Sequence, residues 1–137
     1  MNIKSVVLLI LFAVFLFSAI YIFLPKERIL ETKSFSAYLE VSSVVGFNIG
    51  TDALYFGRTL PGGSSTRKIA VQNPLNTSVY VRLTSDGELA NWITFSENEF
   101  ELQANALRNV SITATAPQNA ELGNYSGTVT IYIYTRE

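Results

Sequence analysis

Residues 125–134 read Tyr-Ser-Gly-Thr-Val-Thr-Ile-Tyr-Ile-Tyr. Gly127, Val129, Ile131 and Ile133 fall on one side of an extended chain, and Thr128, Thr130, Tyr132 and Tyr134 on the other. Successive side chains of a strand point to opposite faces, so this is a strand with one buried and one solvated face. Working back along the chain, the pattern recurs. In residues 78–84, Val79, Val81 and Leu83 alternate with Tyr80, Arg82 and Thr84. In 107–116, Val110, Ile112 and Ala114 alternate with Asn109, Ser111, Thr113 and Thr115. In 66–72, Ile69 and Val71 oppose Lys68, Ala70 and Gln72. Shorter β-rich pieces cover 37–51 (interrupted by Gly46), 53–59, 92–95 and 99–103. Turn-forming residues separate them, at 60–65, 73–76, 85–88 and 117–124. About seven or eight short strands without a helical period predict an all-β domain, a sandwich or small barrel. Alternation rather than continuous apolar runs predicts antiparallel sheets.

Ahead of these strands lies a different kind of sequence. Residues 6–24, VVLLILFAVFLFSAIYIFL, contain no charge, Gly or Pro. As a helix the run covers about 28 Å, the thickness of a bilayer's hydrocarbon core. A soluble amphipathic helix would show a polar face, and this run has none. A cleaved signal needs a shorter apolar region and a small-x-small site. Phe17-Ser18-Ala19, the nearest candidate, puts a bulky residue where a small one is wanted. The run therefore predicts an uncleaved single-pass anchor over residues 1–24, with a removed signal as the alternative. Pro25 suits the helix end and Tyr21 an interfacial aromatic. Residues 25–36, charged and polar, read as a stalk, and 37–137 as the β domain. Orientation has two readings. Lys26, Arg28 and Lys33 outnumber Lys4 and the terminal amine, which favours a cytoplasmic domain. The basic start and apolar run, together with the domain's composition, favour export to the extracytoplasmic side, which is the reading adopted.

Composition excludes several functions. Residues 37–137 carry six basic and nine acidic side chains, spread along the chain, unlike the clustered basic face that nucleic acid requires. The chain has no Cys and no His. That removes disulfides, thiol chemistry, the commonest general base and the commonest transition-metal ligand. No nucleophile motif or phosphate loop is present. The expectation is a non-enzyme with no cofactor, no metal and no catalytic residue.

Leu54-Tyr-Phe-Gly57, Pro61-Gly62 and Ile69-Ala-Val-Gln-Asn73 resemble the opening of many Ig-like modules. Trp92-Ile93, Phe100-Glu-Leu102, Val110-Ser-Ile112, Pro117 and Gly123-Asn-Tyr125-Ser-Gly127 are similar to the closing half of archaeal and bacterial surface Ig-type repeats. The resemblance implies an Ig-like antiparallel sandwich. Two features depart from it: a single module where arrays are common, and Ala104-Asn105 where a Pro-Gly turn is usual. In Ig sandwiches a Tyr near the start of a late strand bonds back to the preceding corner. Tyr125 suits that structural role, with Gly127 in the place of a core Cys. Trp92 reads as core.

Three sets of residues remain as candidate sites. Asn76, Asn109 and Asn124 head N-glycosylation sequons. Glu97, Glu99 and Glu101, spaced two apart, would share one face of a strand, as a solvated edge more than a calcium site. Tyr80, Arg82, Tyr132 and Tyr134 would form an aromatic and Arg surface suited to protein contact if their strands are neighbours. The C-terminal strand, if at a sheet edge, offers a route to homo-oligomers. Together these predict a membrane-anchored, extracytoplasmic Ig-like module of the cell envelope whose partner is a protein or envelope polymer. Two alternatives stand beside it. One is an accessory subunit of a surface-filament or secretion assembly, as archaeal-flagellum accessory proteins resemble this outline. The other is a cytoplasm-facing scaffold like major-sperm-protein-type modules.

Overall fold

A computed structural model describes residues 2–23, 26–41 and 53–136. Tyr21's side chain, Pro25, Gly46 and the 42–51 part of the first expected strand lie outside the described residues. The chain begins with α1, Ile3–Phe23, 21 residues long and therefore about 31 Å. Its window Ile3–Ile20 has a mean hydropathy of 2.7 and none of it is buried. It is long and apolar enough to cross a membrane.

Eight strands follow: β1 (Glu27–Val41), β2 (Leu54–Thr59), β3 (Ser64–Gln72), β4 (Val79–Gly87), β5 (Ile93–Phe95), β6 (Phe100–Leu102), β7 (Leu107–Thr115) and β8 (Gly123–Arg136). They form a five-stranded sheet ordered β2-β1-β8-β4-β6 and a three-stranded sheet ordered β3-β7-β5. The inner faces pack on each other. Ala37, Leu39 and Val129 of the large sheet join Ile93, Ile112 and Ala114 of the small one. Toward the start of β1, Val79, Val81, Ile131 and Ile133 join Val71 and Val110. Val71, Val79, Val81, Val110, Ile112, Ala114, Val129, Ile131 and Ile133 are inward positions that the alternation marked.

Three expectations are corrected. First, residues 27–36 are not a stalk. They are the first two-thirds of β1 and pair with β8 from Glu27↔Arg136 onward. Residues 27–34 are exposed on both faces, so the stretch tolerates charge on either side. Glu31 and Lys33 lie on the core side yet remain half exposed, paired at 3.2 Å. Second, β8 is not an edge strand; it lies between β1 and β4. Third, the sheets are not wholly antiparallel. β1 and β2 pair in parallel, Ala37 opposite Leu54. About a dozen residues separate these strands, enough for the return a parallel pair needs.

The domain has two ends. The start of β1, the end of β8, the β3–β4 turn and the β6–β7 turn lie at one end, called here the base. The β2–β3 turn, Leu89–Trp92 and the β7–β8 loop lie at the other. At the far end Gly87 and Gly127 face each other across β4 and β8. A Cβ on Gly127 would stand 2.6 Å from the Asp86 carbonyl and 3.1 Å from Leu89 Cβ. Gly87 has φ +85°, open mainly to glycine. Tyr125 Oη donates to the Glu121 carbonyl at 3.0 Å, and its ring packs on half-buried Trp92 with centroids 4.4 Å apart. At the base, Asn73 is buried. Its amide donates to the carbonyls of Thr77 (2.8 Å), Leu102 (3.2 Å) and Gln103 (3.0 Å), and its oxygen accepts from Leu75 N–H (3.1 Å). One side chain thereby ties the two base turns together.

Candidate contact surface on the five-stranded sheet

β4 and β8 are neighbours, with Tyr80 opposite Tyr134 and Arg82 opposite Tyr132. Residues paired in this way share a face. All four candidate contact residues therefore meet on the outer face of the large sheet, near the base. The Tyr80 and Tyr134 rings stack with centroids 5.9 Å apart.

Arg82 is the centre of the cluster. Its Nη2 donates to both carboxylate oxygens of Glu27 (3.1 and 3.2 Å), and its Nε donates to Glu99 (3.0 Å). Its guanidinium lies 4.9 Å from the centre of the Tyr134 ring. Arg136 lies 4.5 Å from the Tyr80 ring and 3.8 Å from Glu27. Both arginines reach the Tyr134 hydroxyl at 3.4 Å. Covered in this way, Tyr134 is only 1% exposed although it faces outward. The surface therefore offers Tyr80, Tyr132, Arg82 and Arg136, with Tyr134 beneath them. Hydrogen bonding to Glu27 is the largest influence holding Arg82 above its usual pKa, and desolvation opposes it. A raised folded-state value stabilises the fold fully below the unfolded pKa and is lost only above it. For arginine both lie far above neutral pH, so Arg82 confers no pH dependence near neutrality.

Arg136 and Glu27 escaped the sequence reading, and Glu99 was read into a different set. Glu27 stood in an apparent stalk and Glu99 in an apparent acidic strand. The acidic set does not share a face. Glu99 has φ 52°, which breaks the strand. Glu97 pairs with Arg108 (3.0 Å), Glu99 with Arg82, and Glu101 lies opposite Tyr80. Among the described residues no group of three or more acidic, His or Cys side chains could hold a metal ion.

A second aromatic pair, Tyr38 and Tyr55, stacks across β1 and β2 with centroids 5.3 Å apart. Beside Tyr38 a shallow depression of about 390 Å³ is edged by Glu88 and Ser126. Glu88 accepts from Ser126 N–H there at 3.1 Å. The sequon residues are all exposed: Asn76 at the base, Asn109 on β7 and Asn124 at the far end. No family model, curated protein or solved structure matches the chain.

Proposed function

We propose that the chain is a single-pass, membrane-anchored module of the cell envelope, with an Ig-like β-sandwich held outside the cytoplasm. It binds a protein or an envelope polymer and catalyses no reaction. Support comes from α1, which is apolar all round with no buried residue in its central window, joined to a domain that offers Tyr80, Arg82 and Tyr132 on one open sheet face. Aromatic and Arg side chains together are enriched at protein contacts.

The test is protease protection on intact cells, with a tag after Glu137 and mass analysis of the product. Cleavage of the tag from outside, with the anchor retained, supports the proposal. Protection until the cells are opened supports a second reading, a cytoplasm-facing scaffold. The Lys26, Arg28 and Lys33 count favours that reading.

A further inference from the structure

Chain reach ties the base of the domain to the end of α1. Only residues 24–26 separate α1 from β1. The Cα atoms of Phe23 and Glu27 can be no more than about 15 Å apart. If α1 spans a bilayer, the Glu27–Arg136 end of the large sheet has no stalk to hold it away from the headgroups.

The base is also the part of the domain whose surface suits that position. Among the described residues outside α1, seven large hydrophobic side chains are exposed, and four of them are at the base: Ile29, Leu30, Leu75 and Leu107. Ile29 and Leu30 are consecutive, and regular alternation would turn one of them inward. The register shifts between Ile29 and Glu31, which leaves Leu30 unpaired in the ladder, and both side chains stay exposed, at 60% and 41%. A bulge re-aims side chains in this way. Leu75 and Leu107 come from the other side of the domain, in the β3–β4 turn and at the start of β7. The charges of β1 agree with the apolar residues. Glu27 is held by Arg82 and Arg136, and Glu31 by Lys33. Lys26 and Arg28 are exposed and have no side-chain partner among the described residues.

We infer that the base docks on the lipid surface. Ile29, Leu30, Leu75 and Leu107 enter the interfacial layer, and Lys26 and Arg28 meet anionic headgroup phosphates. The inference rests on α1 spanning the membrane. Docking orients the domain, so that the far end points away from the bilayer and the Arg82 cluster lies close above the headgroups.

The chain has no Cys, so single nitroxide labels can be placed in the full chain. Phe12→Cys, Leu30→Cys, Leu107→Cys and Leu122→Cys are reconstituted in phosphatidylcholine vesicles containing phosphatidylglycerol. Collision with oxygen and with a water-soluble nickel chelate reads depth. The expected result is a label at 12 in hydrocarbon, labels at 30 and 107 shielded from the chelate, and a label at 122 open to water. Position 107 decides, because it is remote from α1 in sequence and only docking brings it to the bilayer. Shielding at 30 without shielding at 107 overturns the inference and leaves the anchor intact. A label at 12 open to water overturns the spanning reading as well. In a Lys26→Gln/Arg28→Gln background the docked-to-free ratio read at 107 falls roughly thirtyfold on anionic vesicles. An unchanged ratio removes the headgroup contacts from the inference.

Discussion

The two ends of the β domain are held by different physics. The far end is closed by near contact of backbone and rings: Gly87 on Gly127, Tyr125 on Trp92. The base is closed by polar side chains: Asn73 tying two turns, and Arg82 and Arg136 roofing Tyr134. The contrast follows from what each end must join. At the far end β4 and β8 approach too closely for any side chain between them. At the base two turns distant in sequence meet, and the Asn73 amide donates to carbonyls of both.

Substitutions sharpen this contrast, and Trp92, the single tryptophan, reports each by fluorescence during denaturant unfolding of the full chain in mild detergent. The largest effect is expected at the far end. Gly127→Ala puts a Cβ against the Asp86 carbonyl and should cost about 3 kcal/mol. A loss below 1 kcal/mol would mean that β4 and β8 separate easily there. Asn73→Ala comes next, at about 2 kcal/mol, because it removes a buried amide that bonds both base turns. If it matches Gly127→Ala, the base is as rigid as the far end. Tyr125→Phe removes one bond, to the Glu121 carbonyl, and should cost about 1 kcal/mol. Arg82→Gln should change stability least, because its ion pairs are partly exposed. Its effect appears instead in the reactivity of Tyr134. Wild-type Tyr134 should resist nitration by tetranitromethane, and the variant should accept it, read by peptide mass. Equal resistance in both would show that Arg136 and Tyr80 suffice as the cover.

Strand content was legible because alternation is local: Val79, Val81 and Leu83 point inward for the same reason in any sheet. The first two-thirds of β1 was not, because it has no apolar face and its partner, β8, lies about a hundred residues away. The four contact residues were legible as outward positions, but the burial of Tyr134 was not. Burial on an outward face depends on which long side chains gather around it, and Glu27 and Arg136, paired at the base, stand more than a hundred residues apart in sequence.

The sequence by itself determined the strand periodicity, the apolar run able to cross a membrane and the lack of thiol or imidazole chemistry. All three follow from residue type at short spacing. Tertiary structure decided that β8 is central, that β1 and β2 run parallel, that an apparent stalk is a strand, and that Glu27, Arg82 and Arg136 meet over Tyr134. These depend on which distant segments pair, and pairing is set by the joint burial of two sheets, which no local window of residues contains.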